Sequence, residues 1–165
     1  MQEVLFEEIR AEHLQDVLEI YSYYVLNTTA TFHDCALTAD DMKHIVFFDN
    51  PKYKTFVINK DQTICGYVIL HQYRPRGAYD SSAEVTVYLK PESIGKGIGN
   101  LAIQYIEEYA RTIGIHVLVS AICGENTKSI NLFERNGYFK CAHYKEIGKK
   151  FGQFLDVVEY QKILD

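Results

Sequence analysis

Apolar and polar positions along the chain fall into blocks of two periods, and the switches between them outline the fold. Val4 to Ile9 reads as a short first strand. From His13 to Leu26 the apolar residues recur every three to four positions, with Leu14, Val17, Leu18, Tyr21 and Val25 on one face of a predicted helix. Asn27 to Leu37 has no period and reads as a loop. Thr38 with Asp41 has the form of a capping box, Asp standing for the usual Glu or Gln, and opens a helix expected to run to Asn50-Pro51 with Met42, Ile45 and Val46 inward. Lys54 to Asn59 and Ile64 to Gln72 are strands rich in β-branched residues, consistent with burial on both faces, joined at Lys60-Asp61-Gln62.

Tyr73 to Ser82 is a turn-rich linker into the stretch around which the chain is organised. Glu84 to Leu89 alternates strictly, with Val85, Val87 and Leu89 on one face and Glu84, Thr86 and Tyr88 on the other. Pro91 stops the ladder, and Gly95, Gly97 and Gly99 follow at alternate positions. From Ile98 the period becomes helical, with Leu101, Ala102, Tyr105, Ile106, Tyr109, Ala110 and Ile113 predicted on the buried face with Ile98. Gly114 is a C-cap signal, and His116 to Ile122 is a nearly continuous apolar strand. Asn126 or Thr127 caps a short helix ending at Asn136-Gly137. Tyr138 to Glu146 and Phe154 to Tyr160 form a terminal pair across a Gly148 to Gly152 turn. The order β-α-α-β-β-β-α-β-α-β-β predicts a single domain over residues 1–165, of α/β (α+β) class, with a mixed sheet and helices on both faces.

At 165 residues the chain is long enough to bury a real core. A net charge of −5 with no basic stripe argues against nucleic acid as a partner. No apolar run reaches the length of a membrane span, and MQEVLFEEIRAEHL carries acids where an export signal needs a basic start. The four cysteines are widely separated and the six histidines scattered, so neither a metal site nor a redox pair is expected. These features fit a cytoplasmic protein.

The glycine-rich turn carries the first chemical signal. Backbone N–H groups left free at a positive helix end form a ready site for phosphate or pyrophosphate. No acid occupies the first two turns of the helix, and Lys90 and Lys96 flank the loop. A tight connection using glycine for positive φ is the plainer alternative. Gly97-x-Gly99-x-x-Ala102 matches the relaxed dinucleotide fingerprint, yet no acid follows near VLVSAI, and the Gly-Lys-Ser/Thr ending of a P-loop is absent.

VYLKPESIGKGIGNLAIQYIEEYA resembles motif A of the GNAT N-acetyltransferase superfamily, whose Arg/Gln-x-x-Gly-x-Gly/Ala loop holds the pyrophosphate of acetyl-CoA. TATFHD, AYDSSAEVTVYLKPE, ENTKSINLFERNGY and IGKKFGQFLDVVEYQK are similar to the phosphinothricin/methionine-sulfone acetyltransferase branch, and they spread from Thr29 to Lys162. The resemblance implies a GNAT-like fold with a mostly antiparallel central sheet. It also implies acetyl-CoA as co-substrate, direct attack by an amine on the thioester without an acetyl-enzyme, a small amino-acid-like acceptor and a homodimer. Glu84, by itself an exposed strand acid, matches the branch's proposed general base in AE-x-x-VY. Val87 and Leu89 are then cofactor-binding through main chain, and Ile94, Gly95, Lys96, Gly97, Ile98 and Gly99 form the pyrophosphate loop. Asn126 is either an N-cap or a contact to the pantetheine arm, and the two roles are compatible. Phe32 either walls the acceptor pocket or plugs the core. Arg74 and Arg76, flanking Pro75, suit bidentate capture of an acidic acceptor group, with Tyr79 adding a hydroxyl; a solvated surface loop is the alternative.

Three positions depart from the family pattern. Ile94 stands where the loop has Arg or Gln, Phe133 where many relatives place a general-acid Tyr, and Phe151 where some herbicide-detoxifying members carry a His. Two rival readings follow: the same donor with a polyamine, aminoglycoside or protein N-terminus as acceptor, and a non-catalytic acyl-CoA-binding module.

Overall fold

In the computed structural model, which describes residues 3–165, one seven-stranded sheet organises the chain. Its strands are β1 (Val4–Glu8), β2 (Lys54–Lys60), β3 (Thr63–Gln72), β4 (Ser82–Leu89), β5 (Val117–Cys123), β6 (Phe139–Lys150) and β7 (Gln153–Ile163). They lie in the order β1-β2-β3-β4-β5-β7-β6, antiparallel except for the parallel pair β4–β5. The helices are α1 (Leu14–Asn27), α2 (Ala39–Val46), α3 (Ile98–Thr112) and α4 (Thr127–Arg135).

Two apolar layers sandwich the sheet. On one face α3 and Phe133 of α4 pack on Ile58, Val68, Leu70, Val85 and Leu118. On the other, α1 and α2 bring Val17, Tyr21, Val25, Met42 and Val46 onto Val57, Tyr67 and Ile69. Covered on both sides, β2 and β3 are buried along most of their length, which is why they carry near-continuous β-branched runs.

The Thr38–Asp41 capping box forms: Asp41 N donates to Thr38 Oγ1 at 3.1 Å and Thr38 N to Asp41 Oδ2 at 2.8 Å. The helix it opens stops at Val46, earlier than the predicted Asn50-Pro51. The buried Thr55 hydroxyl caps the Val46 carbonyl at 2.8 Å, and Phe48 turns onto Tyr53 at a ring separation of 6.4 Å. In α3 the buried stripe is Ile98, Ala102, Ile103, Ile106, Glu107 and Ala110, while the predicted Leu101 is 44% exposed. Gly99 lets α3 approach α4 so closely that a Cβ there would lie 3.1 Å from Leu132, and this contact rolls the Ile103–Glu107 flank inward. Glu107 tolerates burial because Lys162 Nζ reaches it at 2.8 Å.

The terminal hairpin runs on through the predicted Gly148–Gly152 turn and closes at Phe151-Gly152, with φ of 51° and 75°, the paired positive dihedrals of a two-residue hairpin turn. Gly148 is a strand residue paired with Leu155, and it lacks a side chain because the Phe32 ring occupies that place: a Cβ would stand 2.5 Å from Phe32 Cε2.

Candidate active site

The defining feature is a fork in the sheet. β4 pairs with β5 only at Ser82↔Val117, Ala83↔Leu118 and Glu84↔Val119. Beyond this point β4 stays on β3 through Leu89 and β5 stays on β7 through Cys123, so the two strands part. The gap is a cleft of about 710 Å³. Val85 to Leu89 form one wall and Ser120, Ala121 and Ile122 the other, with Phe133 between them. Asn126 and Lys128 at the start of α4, and Tyr24 and Thr29 near the end of α1, line it as well.

The glycine loop lies at the end of β4. Gly95 and Gly97 have φ of 78° and 81°, conformations that glycine reaches at least cost. A Cβ on either would touch nothing within 4 Å, so the loop's outer face is open. Leu101 N bonds to Gly97 O at 3.3 Å as α3 begins, leaving the amides of Ile98, Gly99 and Asn100 without a helical acceptor. No acid stands in that first turn, and Lys96 is exposed beside it. This is an anion cradle at a positive helix end. Gly99 has the further packing duty against Leu132, and the Ile98 side chain is core. Ile94 lines the cleft, as do Val87 and Leu89, whose side chains also meet the α3-side core.

Glu84 is the last residue of β4 paired to β5 and stands at the fork. Across the β3–β4 ladder its partner is His71, whose Nε2 lies 4.0 Å from Glu84 Oε1. Burial raises the carboxyl above the usual glutamate range; His71 and Arg74 oppose this with positive charge, and Glu159 adds to it. A carboxyl so placed is a better proton acceptor at neutral pH than an exposed one.

The remaining predicted residues separate into two groups. Asn126 combines both expected features: its Oδ1 accepts from Ser129 N at 3.2 Å, and the residue lines the cleft. Arg74, Arg76 and Tyr79 are exposed in the β3–β4 connection and line neither wall. Arg74 lies over the Tyr73 ring at 4.5 Å, and its Nη1 donates to the Tyr73 carbonyl at 2.9 Å. Phe32 is 40% exposed and covers Gly148, so it does not plug the core.

Several side chains were not anticipated. Tyr24 donates its hydroxyl to the Leu89 carbonyl and lines the cleft, with its phenol pushed up to about 12 by burial. Its helical spacing from Tyr21 was a readable signal. His71 was findable only through the cross-strand register, which the irregular Tyr73–Ser81 connection conceals. Lys150, 3% exposed, donates to the Thr31 carbonyl at 2.8 Å; nothing local in the sequence marks it.

An open glycine loop following Ile94 at one edge of a cleft, with a half-buried carboxylate at the fork next to the wall residue Val85, is an arrangement suited to group transfer from a phosphate-bearing carrier. The acetyltransferase (GNAT) family matches residues 14–138. The phosphinothricin N-acetyltransferase of Streptomyces coelicolor is 30% identical over 93% of this chain and 92% of its own. The L-methionine sulfoximine/L-methionine sulfone acetyltransferase of Pseudomonas aeruginosa is 31% identical over 92% and 90%. The phosphinothricin acetyltransferase of Sinorhizobium meliloti, solved in complex with acetyl-CoA, superposes with a TM-score of 0.92 at 27% identity, covering 98% of this chain and 88% of that one. The chain belongs to the GNAT acetyltransferase family, N-acetyltransferases whose co-substrate is acetyl-CoA.

Proposed function

We propose that the chain, acting as one N-acetyltransferase domain over residues 1–165, acetylates the α-amine of a small amino-acid-like acceptor of the phosphinothricin, methionine sulfone or methionine sulfoximine type. The observation that carries this is the position of Glu84: a half-buried carboxylate at the β4–β5 fork, one residue before the cleft wall begins at Val85.

Acetyl-CoA, when bound, supplies a reactive acetyl thioester that the amine attacks directly. The amides of Gly95 to Gly99, with Lys96, hold its pyrophosphate, and Ile94, whose own amide bonds to the Pro91 carbonyl at 3.3 Å, borders the loop. The free edge of β4 at Val87 and Leu89, with Asn126 opposite, aligns the carrier arm. Glu84 accepts the ammonium proton of the acceptor, directly or through one water, and so presents a neutral nucleophile. Arg74 and Arg76, with Tyr79, capture the acceptor's carboxylate from the exposed connection beside Glu84, and Phe32 walls the entrance. Phe133 cannot return a proton to the leaving thiolate, and the Tyr24 hydroxyl in the same cleft takes that role.

The enzyme works in the cytoplasm, where its four free cysteines stay reduced. It forms a homodimer through the β6–β7 hairpin, where Ile147, Phe151 and Phe154 are 60%, 59% and 62% exposed. Among the described residues no helix is long and apolar enough to cross a membrane.

The test is acetyl-CoA turnover, followed as free thiol, against phosphinothricin, methionine sulfone, methionine sulfoximine, spermidine and common amino acids. Release with the amino-acid analogues supports the reading. Release with spermidine alone, or none with any amine while acetyl-CoA still binds, overturns it.

A further inference from the structure

Acetyl transfer that starts from an ammonium ion leaves a proton over. Of the ammonium's hydrogens, one stays on the amide nitrogen, one ends on the thiol, and one must reach solvent in every turnover. Glu84, the base of the proposed reaction, is ill placed to deliver it alone: its side chain is 22% exposed and stands at the fork where that reaction takes place.

Its cross-strand partner offers the way out. His71 faces Glu84 in the β3–β4 register, with Nε2 4.0 Å from Glu84 Oε1, and its side chain is 31% exposed. The other ring nitrogen, Nδ1, lies 3.3 Å from the Gln72 carbonyl. A carbonyl oxygen only accepts, so Nδ1 carries the hydrogen and Nε2 keeps its lone pair for the carboxyl. The 4.0 Å gap is just beyond hydrogen-bond range, and one bridging water or a small turn of the glutamate closes it. His71 also lines a cavity of about 330 Å³ between the sheet and the α1–α2 layer. The exposed His33 and His44 line it too, so the His71 ring connects the fork with the surface.

We propose that His71 is the relay for the leaving proton: Glu84 takes it from the acceptor's ammonium, His71 Nε2 takes it from Glu84, and the imidazolium gives it to water on the cavity side. The proposal rests on the N-acetyltransferase reading and adds a residue to it. As the Nε2–H bond forms, the O–H bond of Glu84 breaks, and the carboxylate is restored for the next acceptor. His71 is not on the cleft wall, so it acts through Glu84 as a positioning residue for the proton. Imidazole suits the task because it both gains and loses a proton near neutral pH. The charges that face the pair are few. Arg74, from the β3–β4 connection, and Glu159, from β7, bear on Glu84 with opposite signs. On the cavity side stand Tyr21 of α1, Tyr67 of β3, Tyr88 of β4 and the two further histidines, and among the described residues that wall holds no Asp, Glu, Lys or Arg to trap the proton.

The experiment follows thiol release in weakly buffered solution for wild type, His71→Gln, His71→Ala and Glu84→Gln, with and without added imidazole. His71 is half-buried near the end of β3, so its substitution leaves the core intact, and melting curves verify this. His71→Gln should lower kcat about tenfold, less than the roughly 10²- to 10⁴-fold of a lost direct base. The KM values for acetyl-CoA and acceptor should stay within about twofold. Imidazole should restore His71→Ala in proportion to its concentration and leave wild type and Glu84→Gln unmoved. Nitrogen-15 NMR of the free wild-type protein should show neutral His71 as the Nδ1–H tautomer. Full activity of either Gln variant, a His71→Ala loss that imidazole does not restore, or an Nε2–H tautomer would overturn the relay and leave the acetyltransferase reading standing. Silence of the wild type toward every amine would overturn both.

Discussion

Lys150 Nζ, on the last hairpin, donates a 2.8 Å hydrogen bond to the carbonyl of Thr31, in the loop after α1. The same ammonium reaches the Tyr24 carbonyl at 3.5 Å, and burial holds it below the usual lysine range. It pins the loop that borders the cleft to the far end of the chain. Lys150→Ala removes the donor from buried carbonyls and should cost about 1–3 kcal/mol in urea unfolding. Acceptor KM should rise in the same variant, because Thr29 and Phe32 lose their anchor. A variant with unchanged stability and kinetics would show the clamp to be idle.

As the proposed base, the Glu84 carboxyl would act when deprotonated, and burial raises it, so the acid limb of kcat/KM should fall above the ordinary carboxylate value of about 4.3. Glu84→Gln should lower kcat about 10²- to 10⁴-fold. His71→Gln removes a positive neighbour and should move the limb to higher pH. Glu159→Gln removes a negative one and should move it lower. Limbs that ignore both neighbours would place the titrating group elsewhere.

Gly97 holds φ at 81° in open space, so Gly97→Ala meets no clash and should cost about 1–2 kcal/mol from the left-handed backbone alone. Its backbone belongs to the loop proposed to hold the pyrophosphate. The KM for acetyl-CoA should therefore rise roughly tenfold, about 1.4 kcal/mol, while acceptor KM stays put. Isothermal titration with CoA checks the binding part.

Gly66 is forced by its neighbours. A Cβ there would lie 2.5 Å from Leu89 Cδ2 and 2.6 Å from the Tyr88 carbonyl oxygen, and the latter is backbone in a paired strand. Gly66→Ala should destabilise by about 1–3 kcal/mol, at about 2–4 °C of melting temperature per kcal/mol.

Tyr24 is one of three tyrosines, with Tyr23 and Tyr88, that line the cleft, and it is the one proposed to serve where Phe133 has no hydroxyl. With its pKa pushed to about 12, it stays protonated through the working range. Tyr24→Phe should lower kcat and kcat/KM together by about 10–100-fold. Unchanged turnover would hand thiolate protonation to solvent.

Local features were the legible ones. The Thr38–Asp41 box, the strict alternation of β4 and the positive-φ glycines are each set by residues within a few positions of one another. What depends on packing between distant segments was not legible. The roll of α3 comes from Gly99 meeting Leu132, and the burial of Glu107 from Lys162. The need for glycine at strand position 148 comes from Phe32, and the nearness of His71 to Glu84 from a register fixed across an irregular connection. Two of these misled the reading directly, since Leu101 looks like core and Gly148 looks like a turn. The cleft itself is invisible in sequence, because a missing strand pairing leaves no residue signature.

That missing pairing also sets how the molecule holds together. Three register pairs, Ser82 to Glu84 on Val117 to Val119, are all the ladder that joins β1–β4 to β5–β7–β6, with α3 and α4 bracing the seam from one side. The protein is two half-sheets spliced at one end, and a carrier lying in the fork completes the splice. Bound at a hundred times its Kd, such a ligand adds about 2.7 kcal/mol to global stability. Those amides of Val85 to Leu89 that β3 leaves unpaired would then exchange more slowly, so the co-substrate would serve as an eighth strand while in place.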